Sequence, residues 1–326
     1  MRLVTFTPRT HGPQHLGLVR DGKEVIDLKN AGGEPPFDPA DMISLIAAGK
    51  PALAWLHDVA AKSKNAVPLD KVMLLAPIPR PHKNVFCVGW NYLEHFEEGA
   101  KARPHVQEMP AHPAFFSKAP TTVNGPYADV PAHRGVTEKL DWEVELGVII
   151  GQGGTNIREA DAMAHIFGYT VVNDVSAREV QRQHGQQWFK GKSLDGLCPM
   201  GPWIATADEI ADPQALDIAC RVNGVTKQQS NTRHMYFKIP RIIAELSAGL
   251  TLEPGRYHMH RNARGRRSRA HAAGVHAAGR RARNRNPRPG PAPQQNCRLS
   301  QRRKRWTCQP LRASRSSRPA PAWAPT

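Results

Sequence analysis

What most constrains this chain is a break in composition at Gly255. Beyond it, residues 256–326 hold 18 Arg and one Lys, no Asp or Glu, one Val, two Leu, and no Ile or Phe. A segment so poor in large apolar side chains cannot bury enough surface to offset a chain entropy of roughly 1–2 kcal/mol per residue. It reads as a disordered, Arg-rich tail, and whatever folds must be written in residues 1–255. The break also corrects a misleading total. The chain carries 45 Lys and Arg against 28 Asp and Glu, which as an average suggests a nucleic-acid binder. All of that excess lies in the tail: residues 1–255 hold 26 basic and 28 acidic residues, a formal charge of −2.

A stretch of this length fits one large domain, or a small domain and a larger one. Five cysteines (Cys87, Cys198, Cys220, Cys297, Cys308) show no CxxC spacing, which fits a reducing cytosol. The start "MRLVTFTPRTHG" has no apolar h-region, and no stretch approaches the ~20 apolar residues of a membrane helix. The expectation is a soluble, cytoplasmic protein with no membrane partner.

Residues 1–79 read as a small N-terminal α+β module. "RLVTF" and "HLGLVRDGKEVIDL" alternate as strands do, with "RDGK" as a hairpin turn. "DPADMISLIAAGKPALAWLHDVAAK" has helical spacing, with Asp38 or Asp41 as a cap and an interruption at Pro51. Residues 80–255 are strand-rich. "NVFCVGW" and "VELGVIIG" suit buried strands, "READAMAHIFG" a helix, "GYTVV" a strand ending at a polar corner, and "PRIIAELSAGLTL" a helix with Pro240 in its first turn. The order lacks a clean βαβ repeat, so a doubly wound sheet is not expected.

The chemistry is densest in "LDWEVELGVIIG", residues 140–151. Strand alternation puts Asp141, Glu143 and Glu145 on one face. They are either a wet face or a set of oxygen donors for a hard cation. Asp174 closes "GYTVV" and either caps the following "SAREVQRQHG" helix or supplies a third ligand. In "CVGWNYLEHFEEG", His95 and Glu98 stand at i and i+3, neighbours on a helical turn. Such a pair is either a surface contact or a base whose tautomer the carboxylate fixes. Lys190 and Lys192 in "FKGKSLDGLCPMGPW" are either exposed or turned to a site.

Together these pieces resemble the fumarylacetoacetate hydrolase family, also called acylpyruvase-like. "NVFCVGWNYLEHFEE", "AFFSKAPTTVNGP", "LDWEVELGVIIG", "GYTVVNDVSARE", "WFKGKSLDGLCPMGP" and "SAGLTLEPG" occur in family order over residues 84–255. The resemblance implies an α+β, mostly β fold, a mixed β-sandwich roll behind the small leading module. It implies metal ligands at Glu143, Glu145 and Asp174, holding Mg²⁺, Mn²⁺ or Ca²⁺, a His95–Glu98 dyad and an active-site Lys192. Tyr92, Arg178 and Gln181 match pocket positions, and Asp141 has no transferable role. The implied substrates are small 2-oxo or 1,3-diketo acids, cleaved at a C–C bond. The alternative is isomerisation or decarboxylation of 2-hydroxymuconate-type acids. The intact form is expected to be a homodimer.

The family continues after "LxPGD" with a strand and a T-G-T-P-x-G-V-G loop, where this chain has "LEPGRYHMHRNARGRRSRAHAAG". Back-translated and read one base later, the stretch permits D-I-I-C-I-G-T-P-G-G-V-G. A reading-frame slip after Gly255 accounts for the tail, and it leaves the catalytic domain of residues 80–255 incomplete, with its C-terminal strands missing. The competing reading of the tail is a basic arm for nucleic acid, and a further alternative for the whole chain is an inactive frameshifted product.

Overall fold

In the computed structural model, residues 1–8, 12–92, 109–185 and 187–261 are described. The alternating text at the start forms β1 (Arg2–Thr7) and β2 (His15–Arg20), and β3 (Glu24–Asp27) folds back on β2. Asp21 and Gly22 both take positive φ, +51° and +67°, which matches a tight turn to the twist of the strands it joins. Asp41 caps α1 (Met42–Ala48) by accepting from the Ile43 and Ser44 amides, and α2 (Lys50–Lys62) starts afresh with Pro51 in its first turn. β4 (Val67–Pro68) and β5 (Met73–Leu74) then pair with β3 and β1.

The next region supplies β6 (Val85–Gly89), β7 (Ala114–Lys118), β8 (Val123–Asn124), β9 (Leu140–Asp141), β10 (Val144–Ile150) and β11 (Ile166–Asn173). Short pieces follow: β12 (Ser176–Ala177), α3 (Arg178–Gln183), α4 (Trp188–Lys192), β13 (Cys198–Pro199) and β14 (Ile204–Thr206). A hairpin of β15 (Asp217–Val222) and β16 (Val225–Asn231), helix α5 (Ile239–Ser247) and β17 (Tyr257–Arg261) complete the described chain.

Eleven strands form one sheet in the order β4-β3-β2-β1-β14-β11-β10-β17-β6-β7, with β5 beside β1. Among the described residues the other strands make two-stranded pairs and no sheet closes into a barrel. The fold is thus α+β and mostly β. Pairing of β1 with β14 carries the leading residues into the same sheet as the later ones. One core cluster follows it, with Leu3, Leu16 and Leu45 packed in the same group as Cys87, Val172 and Met200.

Helix α5 buries Ile239, Ile242, Ile243 and Leu246, the i, i+3, i+4, i+7 stripe of an amphipathic helix. Ile239, Ile243 and Leu246 pack in one cluster with Leu146, Val148 and Ile150, which share one face of β10. Glu145 alternates onto the opposite face, and this is how a strand that is buried throughout can carry a carboxylate.

Two expectations need correction. "READAMAHIFG" is not one helix: Glu159–His165 is a 3-10 segment and Ile166 already begins β11. All eight residues of β11 are buried, and cross-strand pairing with β10 outweighs the local helical spacing. Strand structure also continues past Gly255. β17 lies between β10, to which it is antiparallel, and β6, to which it is parallel. Composition rules out a core for the tail as a whole, but a five-residue segment with a partner on each side is held by its backbone hydrogen bonds, which do not depend on side-chain type.

Candidate active site

Register brings the acidic residues together. In the β10–β11 ladder Val144 stands opposite Asn173 and Glu145 opposite Val172, so the next step sets Glu143 across from Asp174. Backbone contacts close that step: the Asp174 amide donates to the Glu143 carbonyl at 2.7 Å, and the Glu143 amide donates to Asn173 Oδ1 at 3.0 Å. Directly opposed residues hold their Cβ atoms ~5 Å apart, and Glu145 follows two positions along. One carboxylate oxygen from each of Glu143, Glu145 and Asp174 lies within 4.8 Å of the other two. Their exposures are 1%, 0% and 0%, which excludes a wet strand face. Asp141 stands apart, in β9, because the ladder is interrupted at Trp142 and Glu143.

Buried carboxylates this close need cations, and the fold supplies them from three directions. Lys118, the last residue of β7, is fully buried and donates from Nζ to Asp174 Oδ1 at 2.7 Å and to the Val175 carbonyl at 3.1 Å. Lys192, the last residue of α4, is also fully buried and donates to Glu143 Oε2 at 2.7 Å and to Asp174 Oδ2. Arg178 opens α3, donates from Nε to Asp141 Oδ2 at 2.8 Å, and pairs with Glu143 Oε1. Its remaining nitrogen reaches Gln181 Oε1 at 3.3 Å. Asp174 is not a cap: α3 begins after Ala177 with no side-chain capping bond, and the Asp174 oxygens go to the two lysines.

These partners set the local charge states. Burial alone would push the Lys118 ammonium toward neutrality, but Asp174 outweighs it and leaves the pKa above the ordinary lysine value. Burial likewise disfavours the Arg178 cation, and Glu143 and Asp141 overcome it, so the pKa is raised. Cys87 is held as a thiol by burial first and then by Asp174 and Glu145. Tyr92 is raised by burial and then by Glu145. Its buried hydroxyl finds no hydrogen-bond partner among the described residues.

An aromatic wall stands beside Lys192. The ammonium lies 5.0 Å from the Phe116 ring centroid. Trp188, one helical turn before Lys192, meets Phe116 edge-on at 5.1 Å and Trp90 at 5.0 Å. A Cβ at Gly89 would come within 2.4 Å of the Trp188 ring, so only glycine allows the approach.

The geometry therefore gathers Glu143, Glu145, Asp174, Lys192, Arg178 and Gln181. Tyr92 is near enough for the Glu145 charge to act on it. His95 and Glu98 lie outside the described residues. Sequence reasoning missed Lys118: a lysine ending a strand ordinarily reads as exposed, and its partner Asp174 is 56 residues away. The donor set fits a divalent cation. Three buried carboxylates offer hard oxygen ligands of the kind Mg²⁺, Mn²⁺ and Ca²⁺ take.

Comparison with known proteins gives the chain a family. Residues 84–256 match the family model described as fumarylacetoacetate (FAA) hydrolase C-terminal. An oxaloacetate tautomerase of Bacillus subtilis is 41% identical over 261 residues, covering 76% of this chain and 85% of that protein. A mitochondrial oxaloacetate tautomerase of Rattus norvegicus is also 41% identical, over 262 residues and 78% of each chain. Among solved structures, a fumarylacetoacetate hydrolase from Exiguobacterium antarcticum superposes with a TM-score of 0.66 at 33% identity, covering 81% of this chain and 87% of that one. A maleylpyruvate hydrolase from Sphingobium sp., solved with manganese(II) and pyruvate, gives 0.63 at 28% identity, covering 81% and 88%.

Proposed function

Since the chain belongs to the fumarylacetoacetate hydrolase family, we propose that it interconverts the enol and keto forms of a small 2-oxo dicarboxylic acid of the oxaloacetate type. Glu143, Glu145 and Asp174 would hold the divalent ion. The observation that carries this reading is the convergence of those buried carboxylates with two buried ammonium groups, in a chain over 40% identical to oxaloacetate tautomerases along most of its length. When bound, the cation supplies Lewis-acid polarisation of the 2-oxo group.

The chain's own residues do the rest. Lys192 places a positive charge where an enolate oxygen gathers negative charge, in a site already shielded from water. Lys118 and Arg178 pair with Asp174 and Glu143 and hold their carboxylates in place. By the family resemblance, His95 with Glu98 is the base that would carry the proton from the enol oxygen to the neighbouring carbon. Nothing leaves and nothing is added, so the product has the mass of the substrate.

A second reading, hydrolytic C–C cleavage of a 2-oxo or 1,3-diketo acid, is supported by the likeness to two solved hydrolases, and the His95–Glu98 pair would suit it equally as the base that activates a water. Proton NMR separates the two. With Mg²⁺, enol oxaloacetate should reach its keto–enol equilibrium faster with the enzyme than without it and give no cleavage product, while an acylpyruvate should persist. Appearance of two products from the acylpyruvate would favour the hydrolase. No enzyme-dependent change in either compound would refute both.

We attribute residues 256–326 to the frame slip described above. The family match ends at residue 256, and β17 falls on the segment that reads I-I-C-I in the shifted frame. Sequencing the gene across the Gly255 codon tests this: family-like text that continues in the frame one base later supports the slip, and its absence from that frame refutes it.

A further inference from the structure

The two buried lysines are not equivalent. Lys118 divides its bonds between Asp174 Oδ1 and the Val175 backbone carbonyl, and it projects from the end of a sheet strand. Lys192 bonds Glu143 Oε2 and Asp174 Oδ2, two of the three carboxylates that could hold a metal. It projects from the last turn of a five-residue helix. Its ammonium already does, at two of these carboxylates, the electrostatic work a bound cation would do. A dication at the same oxygens would repel it, and the Phe116 ring, 5.0 Å from the ammonium, offers an alternative neighbour.

We propose that Lys192 is an exchangeable counter-ion. It holds Glu143 and Asp174. The arriving metal displaces it, and the freed ammonium then becomes the anchor for the anionic substrate. Lys118 stays with Asp174 throughout. The inference rests on the metal reading above and adds an order to it: metal first, substrate second, because before the metal arrives the substrate's cation is bound to the metal's ligands.

The test is Mn²⁺ binding followed by electron paramagnetic resonance, with wild type and Lys192→Met. Removing a competing cation should tighten Mn²⁺ binding by about tenfold, the usual size of such coupling. Damage to the fold would weaken it. Oxalate, an inert dianion, should bind wild type only with Mn²⁺ present, and the variant poorly even then. Should the variant not fold, reductive methylation of wild type read by mass spectrometry takes its place: Mg²⁺ should raise labelling of Lys192 and leave Lys118 unchanged. Equal or weaker Mn²⁺ binding by a folded variant, or Lys192 labelling that does not rise, overturns the exchange and leaves the metal site standing. Wild type that binds no Mn²⁺ overturns both.

Discussion

Replacing Lys118 with Met tests whether the carboxylate cluster governs the stability of this fold. The side chain is fully buried, and its ammonium makes two bonds, at 2.7 Å to Asp174 Oδ1 and 3.1 Å to the Val175 carbonyl. Methionine fills similar space and cancels both. Breaking a buried ion pair by deleting one partner costs about 3–5 kcal/mol, since the survivor is left charged in a dry interior. Asp174 keeps Lys192, which places the variant near the lower end, about 3 kcal/mol. For a folded unit of this size each kcal/mol moves the midpoint by about 2–4 °C, so the loss is roughly 6–12 °C. The assay is thermal unfolding by near-ultraviolet circular dichroism, first in EDTA and then with excess Mg²⁺. A ligand at a hundred times its Kd adds about 2.7 kcal/mol. That gain should be larger in the variant, whose site has lost a cation, so the gap to wild type should narrow. A variant that melts with wild type in EDTA would refute the argument that buried charge balance holds this site together.

Other consequences are checked by unfolding experiments. Tyr92 keeps its proton in the folded state well above the ordinary tyrosine value, held by burial and by Glu145, whereas the unfolded chain loses it above about pH 10. Stability should therefore fall with rising pH beyond that point, by about 1.4 kcal/mol per pH unit from this side chain. Urea unfolding of Tyr92→Phe should show a shallower alkaline decline. Gly89→Ala drives a methyl into the Trp188 ring and should cost about 1–3 kcal/mol. Adding Trp188→Leu should recover part of that loss in a double-mutant cycle. Ending the chain after Arg261 should leave the main sheet's ladders intact. Ending it after Gly255 strips β17 from β10 and β6 and should abolish cooperative unfolding.

The site was partly legible because its logic is local. The i, i+2 spacing of Glu143 and Glu145 fixes a shared strand face wherever the strand lies. Whether Asp174 capped a helix or joined the cluster depended on register with a strand some thirty residues earlier, and spacing carries no register. Lys118 had no local signal, because its partner is reached only when β17 and β6 are laid between β10 and β7. The leading hairpin and two helices read well from their local patterns, yet the pairing of β1 with β14, Leu3 against Ile204, is long-range. β17 was illegible for a different reason: side-chain composition argued against it, and backbone pairing on both edges prevailed.

The most direct test of the account is the rate at which enol oxaloacetate disappears, followed by ultraviolet absorbance for wild type and Glu145→Gln. With Mg²⁺, wild type should accelerate the loss above the uncatalysed rate, EDTA should abolish that gain reversibly, and the variant should be slower by at least about a hundredfold. Acceleration that survives both EDTA and the loss of Glu145 would contradict the claim that these carboxylates hold a catalytic cation.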